Sequence, residues 1–365
     1  MKILYIVPKI NDGDGIARVI AIKANYLIEK YGYEIAILTQ NKGNIPLFYE
    51  FNEKIEFQDM KLKGNPFHFI FSFRSQLNTI IESINPDRII VCDNGLKAFL
   101  IPILLHTKIP LLLEIHSSIF IEEQVINNTV FQQIKSKLLY FYKQFGASLY
   151  DQFIVETQES IKEWGGKKGI VIPNPLWFSP NHEADLSQKN VIAVGRHTYE
   201  KGFDRLLEIW KKIIINYPDW HLTIYGKTNP DFDLIAMAKK LEIEKNSTFF
   251  DPVKNINEKY LEASIYLMTS RFEGFGMVLI EAMASGLPCI VYDCPCGPRT
   301  IIENDRNGFL IENGNENLYI QALEKIIVDE NLRFEMGKNA RISVNKYQID
   351  AIMQKWNSLL KAEIN

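Results

Sequence analysis

The sequence has few cysteines, no long hydrophobic run and little net charge. Four cysteines among 365 residues are too few for the disulfide framework of a small secreted protein, so a reducing cytoplasm is the expected compartment. No uninterrupted apolar stretch reaches the ~20 residues of a membrane-spanning helix. A formal net charge of −3 gives no indication of bulk nucleic-acid binding, although it leaves room for a local basic patch.

The cysteines also make a poor zinc site. Cys92 stands alone, while Cys289, Cys294 and Cys296 cluster in the C-terminal half. Only Pro295 separates Cys294 from Cys296, whereas zinc-binding pairs usually have about two to four residues between them. No second pair lies elsewhere, so we expect a structural role for the cluster.

The sequence does contain short apolar runs that alternate with longer helical patterns. The first run, Ile3–Val7, is too short for the hydrophobic region of a signal peptide, so we interpret it as a buried strand. Further runs predict strands at 34–39, 88–92, 111–115, 169–172, 191–194, 221–225, 248–250, 265–269 and 289–291. Continuous apolar strands separated by helices are typical of a parallel sheet covered on both faces, which is the doubly wound α/β class.

Two such domains are expected. A single core stops growing at about 250–300 residues, and the series of strands restarts after Pro173-Asn174-Pro175, a rigid segment suited to a linker. We predict domains at 1–172 and 173–347, with an amphipathic helix within 348–365 packed back on the first. Ligands of such sheets bind beyond the carboxyl ends of the strands, so the expected site is the cleft between the two domains.

The strongest chemical signal is RFEGFGMVLIE, from Arg271 to Glu281. It follows a predicted strand and opens a helix, whose free backbone amides favour a diphosphate. Gly274 and Gly276 allow the backbone to approach a ligand closely. Glu273 lies on the loop and Glu281 in the first turns, so the two carboxylates can address two parts of one nucleotide ligand. Taken alone, they fit a solvated loop charge and a partner of the helix dipole equally well.

A second signal is VGRHTYEKGF, from Val194 to Phe203. A strand ends here, a loop follows, and a helix begins near Phe203. Arg196 offers a planar fork of donors and Lys201 a compact charge, and both suit a diphosphate. Such cations would stabilise a leaving nucleotide as negative charge develops on it. As isolated residues, they would more often be ordinary surface cations.

Together these segments resemble the large family of retaining GT-B glycosyltransferases with a Glu-x7-Glu motif, glycosyltransferase family 4 or glycosyl transferases group 1. The resemblance covers nearly the whole chain and is strongest from 191 to 310. The segments 282–288, 297–299 and 307–310 also follow the family pattern. The implied fold is GT-B, an α/β fold of two Rossmann-like parallel-sheet domains that face each other across a cleft.

The resemblance implies a role for each motif residue. Glu273 would contact the transferred sugar, Gly274–Gly276 would line the donor site, and Glu281 would bind the nucleotide ribose. Arg196 and Lys201 would hold the donor phosphates and replace a divalent ion. The first domain would bind the acceptor and the second the nucleotide-sugar donor.

Two further candidates lie in the first domain. The loop from Asn11 to Gly15 resembles the family's Gly-Gly loop, which approaches the donor phosphate, although Asp14 separates its two glycines. Gly15 is the better candidate for that approach, while Asp12 or Asp14 would cap the next helix. The missing third glycine argues against a nicotinamide dehydrogenase. His116 ends a buried strand where the family has a histidine that touches the transferred sugar; otherwise a lone histidine is usually a satisfied polar residue.

One motif is expected to mislead. Asp231-Phe232-Asp233 imitates the Asp-x-Asp metal motif of the other glycosyltransferase fold, but a helical pattern follows it, so helix capping is the simpler interpretation. No metal and no other cofactor are expected. The nucleotide sugar is a co-substrate, and the resemblance implies that it is a UDP-sugar.

Two segments of the first domain, 61–74 and 135–143, mix basic and aromatic residues. They would suit contact with an anionic membrane surface. Core aromatics beside solvated lysines are the alternative, and the sequence leaves both open.

The sequence therefore predicts a cytoplasmic, metal-independent, retaining hexosyltransferase, peripheral on the inner face of the plasma membrane if the membrane contact holds. It would move a hexose or N-acetylhexosamine to a saccharide or lipid-linked acceptor, in the synthesis of cell-surface polysaccharide or glycolipid. The alternatives are a GT-B sugar-nucleotide epimerase or hydrolase, and a non-catalytic sugar-nucleotide-binding subunit. The last would need a damaged site, whereas both glutamates and both cations are present.

Overall fold

The computed structural model describes residues 1–11, 13–62, 66–105, 107–119, 130–165 and 169–363. They form two compact units: an N-terminal unit of 1–119, 130–175 and 350–363, and a C-terminal unit of 176–349. Asp12 and Lys63 lie outside the described residues. Each unit is built on a parallel sheet flanked by helices, which confirms the predicted α/β class with two Rossmann-like domains.

The N-terminal unit has a parallel sheet in which seven strands are described. They are β1 (Lys2–Ile6), β2 (Glu34–Gln40), β3 (Glu56–Met60), β4 (Arg88–Val91), β5 (Leu111–Ile115), β6 (Gln152–Val155) and β7 (Gly169–Val171). The helices are α1 (Gly15–Tyr31), α2 (Pro66–Ile84), α3 (Ile101–Leu104), α4 (Val130–Ser148) and α5 (Gln158–Glu163). The strand order is β3-β2-β1-β4-β5-β6-β7, and all the pairs are parallel. The succession of strands across the sheet changes direction between β1 and β4, as in dinucleotide-binding folds.

The start of α1 follows from its local sequence. The Asp14 carboxylate accepts a hydrogen bond from the Ala17 amide at 2.8 Å, which confirms Asp14 as the helix cap. The helix ends at Gly32, whose φ of 66° favours glycine.

The C-terminal unit repeats the arrangement. Its strands are β8 (Asn190–Val194), β9 (His221–Tyr225), β10 (Ser247–Phe250), β11 (Ile265–Met268), β12 (Cys289–Asp293) and β13 (Gly308–Glu312). Its helices are α6 (Phe203–Asn216), α7 (Leu234–Leu241), α8 (Ile256–Leu261), α9 (Met277–Ala284), α10 (Pro298–Ile301), α11 (Glu316–Val328) and α12 (Glu330–Ser343). The strand order is β10-β9-β8-β11-β12-β13, so this sheet reverses between β8 and β11.

Apolar side chains cover both faces of this second sheet. Within β8, Val191 and Ala193 belong to one buried cluster and Ile192 to another, as the alternation of side chains along a strand requires. The first cluster contains Trp210 of α6, and the second contains Leu279 of α9. With both faces buried, the polar residues that could meet a ligand lie beyond the strand ends.

The last helix, α13 (Ile349–Lys361), belongs from residue 350 onward to the N-terminal unit. It is amphipathic, and its inner side includes the fully buried Trp356. Two hydrogen bonds hold it there, from the Tyr26 hydroxyl to Asp350 at 2.5 Å and from the Tyr33 hydroxyl to Asn357 at 2.6 Å.

Three strands, β3, β6 and β13, were not predicted. β3 has the sequence EFQDM at the edge of its sheet, and only Met60 is buried, so no apolar run marks it. β6 and β13 each contain a short apolar stretch beside polar residues. No helix within the described ranges is long and apolar enough to cross a bilayer.

Candidate active site

Two segments that are distant in sequence meet where the C-terminal sheet reverses. They are the loops that follow β8 and β11, the neighbouring strands at the reversal. The Arg271 amide donates to the Glu200 carbonyl at 2.7 Å, and the Thr269 hydroxyl donates to the Gly202 carbonyl at 2.8 Å. Ligands of doubly wound sheets bind at this kind of reversal. The two motifs singled out in the sequence therefore form one candidate site.

The centre of this site is an ion pair between Lys201 and Glu273. The Lys201 ammonium donates to Oε1 of Glu273 at 2.7 Å, and the Ser270 hydroxyl donates to the same oxygen at 2.7 Å. The Glu273 residue is only 8% exposed. Within the described part of the chain, no donor binds Oε2, so this oxygen can accept from a ligand hydroxyl. Ser270 belongs to the site although no motif had indicated it.

The backbone of Glu273 is held as firmly as its side chain. Its amide donates to the Pro295 carbonyl at 2.8 Å, and its carbonyl accepts from the Cys296 amide at 2.7 Å. Gly297, which follows Cys296, lies so close to the Glu273 loop that a Cβ placed on it would be 2.0 Å from the Phe275 carbonyl oxygen. The buried cysteine segment after β12 thus fixes the loop that carries Glu273.

The glycine-rich stretch after Glu273 is only partly as expected. Gly276 precedes α9 with a φ of 96°, a conformation that favours glycine. Gly274 is half-buried. Phe275 is buried, and its ring packs edge-to-face on Tyr347 with centroids 5.2 Å apart. Its side chain therefore belongs to the core, and any contact with a donor would come from its backbone.

Glu281 differs most from its prediction. We predicted that its carboxylate reaches a ribose, and in this structure the residue is fully buried. Its Oε1 accepts from the Trp177 indole at 2.9 Å, and its Oε2 accepts from the Tyr260 hydroxyl at 3.1 Å. Burial raises the pKa of Tyr266, and the charges of Glu273 and Glu281 raise it further. The two carboxylates therefore lie within electrostatic range of one phenol, although only Glu273 has an open oxygen.

The two predicted phosphate-binding cations have different partners. Arg196 is half-exposed and donates to the Glu200 carboxylate at 2.7 Å. Lys201 instead pairs with Glu273. A third cation, Arg271, uses both terminal nitrogens to bind Asp204 at 2.8 and 2.6 Å, so its role here is structural. Arg196 remains at the rim, with its charge partly accessible.

Asp233 of the Asp-x-Asp segment caps a helix. One oxygen of Asp233 accepts from the amides of Ile235 and Ala236, both at 3.0 Å, at the start of α7. The Asp231 amide donates to the Asn229 side chain at 3.0 Å. The capping interpretation is thus confirmed.

The glycine candidate of the N-terminal unit stands in open space. Gly15 is the first residue of α1, and a Cβ placed on it would meet no other described residue within 4 Å, its chain neighbours and its own helix backbone apart. At Gly13, a Cβ would instead touch the Phe48 ring at 3.3 Å. Of the two glycines, Gly15 leaves room for an approaching group.

His116 lies between two carboxylates of the N-terminal unit. Its Nδ1 is 2.9 Å from Glu156 Oε1, and its Nε2 is 3.3 Å from Glu114 Oε1. The Lys23 ammonium donates to both oxygens of Glu114, at 2.6 and 2.5 Å. Burial lowers the pKa of the His116 imidazole, but the Glu114 charge and several hydrogen bonds outweigh this and raise it well above its usual value. Burial raises the pKa of Glu114, yet the charges of Lys23 and His116 bring it below its usual value.

This cluster is compact enough to be compared with a metal site. Ligand atoms of Cys92, Glu114 and His116 lie within 4.8 Å of one another. However, burial raises the pKa of the Cys92 thiol to about 12, and Glu114 is already neutralised by Lys23. A protonated thiol and a carboxylate that holds an ammonium do not suit a divalent cation.

Gly202, where the two loops of the C-terminal site meet, offers a sharp stability test. Its φ is 64°, and a Cβ would lie 2.1 Å from the Thr269 carbonyl oxygen. We expect Gly202→Ala to lower the free energy of unfolding by about 2 to 4 kcal/mol, from backbone strain plus steric overlap. Gly314→Ala is the matched control, because Gly314 has a φ of 86° but nothing within 4 Å of its Cβ. Equal losses in urea denaturation would show that the close contact has no effect.

Two Rossmann-like domains, with a lysine–glutamate pair at the reversal of the second sheet, have the architecture of a two-domain glycosyltransferase. Comparison with known proteins agrees. Residues 178–343 match the family model described as "Glycosyl transferases group 1". The chain is 30% identical, over 98% of its length and 99% of the relative's, to an uncharacterized glycosyltransferase of Haemophilus influenzae. The protein therefore belongs to the group 1 glycosyltransferases.

Other relatives and solved structures extend this comparison. The amylovoran biosynthesis glycosyltransferase AmsD of Erwinia amylovora is 29% identical, over 98% of this chain and 99% of AmsD. A mutant of S. aureus TarM, solved with fondaparinux, alpha-GlcNAc-glycerol and UDP, superposes with a TM-score of 0.80 at 16% identity, covering 99% of this chain and 100% of TarM. Sucrose-phosphate synthase from Thermosynechococcus elongatus superposes with a TM-score of 0.80 at 18% identity, with 98% of each chain covered. These likenesses confirm the GT-B fold.

Proposed function

We propose that the protein is a retaining, metal-independent hexosyltransferase that uses a UDP-sugar. It transfers a hexose or N-acetylhexosamine to a saccharide or lipid-linked acceptor in the synthesis of cell-surface polysaccharide or glycolipid. Relatives support this class of product. Besides AmsD, a lipopolysaccharide 1,6-galactosyltransferase of Salmonella typhimurium is 32% identical over 51% of this chain and 48% of its own. The UDP in the TarM complex supports the choice of base.

The observation that carries the proposal is the single oxygen of Glu273 that binds both Lys201 and Ser270. The other oxygen is left to accept a hydroxyl of the transferred sugar. An ammonium on the same carboxylate lowers its nucleophilicity, which favours an orienting role over a covalent one. The acceptor hydroxyl then attacks from the face that the nucleotide leaves. Its oxygen bonds to the anomeric carbon, the bond from that carbon to the phosphate oxygen breaks, and the proton passes to the departing phosphate, so the anomeric configuration is retained.

The remaining residues bind the donor in this proposal. Arg196 and Lys201 stabilise the negative charge that develops on the diphosphate, which removes the need for a divalent metal or other cofactor. The backbone of 274–276 positions the free amides at the N-terminus of α9 so that they can bind the phosphates. Glu281 holds the ribose after the Trp177 indole turns away from its Oε1. In the N-terminal domain, His116 orients the transferred sugar.

The domains divide the work between the two substrates. We assign acceptor binding to 1–172, together with 348–365, and donor binding to 173–347. Gly15 supports this assignment, because a Cβ placed on it would meet open space among the described residues, which leaves room for a phosphate at the start of α1. All four cysteines are free and buried, which supports a reducing cytoplasm.

A panel of nucleotide sugars tests the function. UDP-glucose, UDP-galactose and UDP-N-acetylglucosamine are screened by thermal shift, because a ligand that binds only the folded state raises its stability. The donor that binds is then incubated, with EDTA, with free saccharides and with a lipid-linked acceptor, and the anomeric configuration of the product is read by NMR. Transfer with retention is the expected result. Donor breakdown without an acceptor would indicate an epimerase or hydrolase, and binding without any transfer would indicate a non-catalytic subunit.

The structure also supports the proposed contact with an anionic membrane. One face of α4 exposes large apolar side chains, namely Ile134, Leu138, Phe141 and Phe145, and Phe141 is 69% exposed. Lys135 and Lys137 on the same helix are exposed, whereas Lys143 is buried and cannot reach a lipid surface. Apolar residues flanked by lysines suit insertion at the boundary of anionic headgroups.

We expect the protein to sediment with phosphatidylglycerol vesicles at low salt and to remain in solution with phosphatidylcholine vesicles. Phe141→Glu should reduce the bound fraction by about tenfold, because it removes apolar contact and adds a repelled charge. Phe334→Glu on α12 is the control, since Phe334 is also an exposed aromatic residue. Failure of the unchanged protein to sediment at low salt would refute the membrane contact.

A further inference from the structure

His116 belongs to a buried chain of four alternating charges. The chain runs from Lys23 on α1 to Glu114 on β5, then to His116 and finally to Glu156, which follows β6. The Asn174 side chain also donates to Glu156 Oε1, the oxygen that faces His116. If the imidazole is protonated, the four charges sum to zero. A balanced chain of this kind avoids the large cost of an unpaired buried charge.

We propose that Glu114 and Glu156 are positioning residues that keep His116 a hydrogen-bond donor at Nε2, so that it orients a hydroxyl of the transferred sugar and does not act as a base. This inference rests on the proposed function, which gives His116 its contact with the sugar. It assigns new roles to Glu114 and Glu156, and it fixes the protonation state in which His116 works.

The geometry separates the two nitrogens of the ring. Nδ1 is hydrogen-bonded to Glu156 at 2.9 Å. Nε2 lies 3.3 Å from Glu114 Oε1 but has no hydrogen-bond partner among the described residues. Each carboxylate favours a proton on the nitrogen nearest to it, and only the imidazolium carries both protons. Nε2 thus holds a proton that no acceptor within the described part of the chain binds in good geometry.

Neighbouring groups donate hydrogen bonds to both buried carboxylates. Lys23 binds both oxygens of Glu114, and its ammonium lies 3.5 Å from the centre of the Trp356 ring, a cation–π contact that stabilises the charge. Asn174 donates to Glu156. Among the described residues, the other titratable groups recorded against this chain are Cys92 and Tyr5.

Cys92 and Tyr5 remain neutral at physiological pH. Burial raises the pKa of the Cys92 thiol to about 12, and the thiol donates to Glu114 Oε2 at 3.1 Å. Burial likewise raises the pKa of the Tyr5 hydroxyl well above its usual value. The raised pKa of His116 agrees with this charge inventory. The imidazolium therefore depends on two carboxylates, and removal of one should release its proton.

The test is an NMR titration of the full-length protein labelled at histidine, with the His116 ring signal assigned by its loss in His116→Gln. In the unchanged protein, we expect this signal not to titrate across the ordinary histidine range. In Glu156→Gln, which keeps the hydrogen-bonding shape but removes a charge, the signal should titrate within that range. Glu163→Gln is the control, because Glu163 lies in the same unit but binds Ser118. A His116 signal that titrates near its ordinary value in the unchanged protein would overturn the proposal.

Activity gives the second readout. With the donor identified by the panel, Glu156→Gln should lose transfer as the pH rises through the new titration, whereas the unchanged protein should not. His116→Gln, whose amide can donate from a similar position, should keep activity within about tenfold, and His116→Phe should lose more. A larger loss in His116→Gln than in His116→Phe would contradict a donor role. If no donor is ever transferred, the proposed function fails, yet the titration still decides the charge state.

Discussion

Replacement of Lys201 by alanine is expected to lower sugar transfer by about 100- to 1,000-fold, as removal of a preorganised charge-stabilising donor does in other enzymes. The loss has two sources in this site. Lys201 would no longer stabilise the departing diphosphate, and Glu273 would lose the ammonium that holds its Oε1 at 2.7 Å. Because both effects act on the transition state, turnover should fall more than donor affinity.

The matched control for this loss is Lys212→Ala. Lys212 is on α6, the helix that follows the Lys201 loop, and it pairs with Glu316 at 2.6 Å on the exposed surface. Both variants change the net charge by the same amount, so any difference between them reports position. Initial rates of UDP release in the presence of acceptor give the comparison. Similar rates for Lys201→Ala and the unchanged protein would show that Lys201 takes no part in sugar transfer. The role assigned to Glu273 would then lose its main support.

A third variant divides the two sources of the loss. Ser270→Ala removes the other donor to Glu273 Oε1 but leaves the positive charge in place. We expect a loss of about tenfold, the lower end of what one hydrogen bond to a charged group contributes. If Ser270→Ala and Lys201→Ala were equally damaging, orientation of Glu273 would outweigh charge on the phosphates.

The elements that sequence could predict are those whose signal is local. β5 reads LLLEI, all five of its residues are buried, and the predicted bounds match the structure. The Asp233 cap was likewise visible, because a cap lies within about three residues of the amides it binds. β3 was missed for the same reason, since an edge strand with polar residues has no apolar run.

The site was predictable only as far as its motifs extend. Glu273 and Lys201 were found because each lies in a short glycine-containing segment, and the structure joins them across 72 positions. Trp177 could not be found, because it meets Glu281 across 104 positions and no local pattern marks it. Its indole explains why the carboxylate predicted to reach a ribose is buried. Partner choice of this kind is set by packing, which periodicity and spacing do not record.

The buried pair of the N-terminal unit shows the same point with a larger energetic consequence. Lys23 lies in the middle of α1, where its sequence neighbours suggest only a helix surface, yet its side chain is inaccessible and its ammonium binds Glu114, 91 positions away. We expect Lys23→Met to lower the free energy of unfolding by about 3 to 5 kcal/mol, because it leaves the buried chain with one unpaired negative charge. Methionine fills a similar volume, so loss of packing contributes little.

The double variant Lys23→Met, Glu114→Gln separates charge from packing. It restores the balance, since one imidazolium then faces one carboxylate, and we expect it to recover more than half of the lost stability. Both variants and the parent are compared by urea denaturation. If the double variant were less stable than Lys23→Met alone, the unpaired charge would not be the cause of the loss.

The pH dependence of this series has a defined sign. In the parent, the pKa of Glu114 lies below its ordinary value. The contribution of Glu114 to folding stability is therefore present at pH values above the ordinary pKa, and it is lost as the pH falls through the lowered pKa. Without Lys23, the pKa of Glu114 should rise in the folded state, and the folded variant then gains stability on binding a proton. The stability gap between the parent and Lys23→Met should therefore narrow from about pH 8 to pH 5. The stability gap between the parent and the double variant should change much less, because the Glu114→Gln substitution leaves no titratable group at that position. If the gap between the parent and Lys23→Met widened toward acid, that result would contradict the buried negative charge on which the His116 inference also depends.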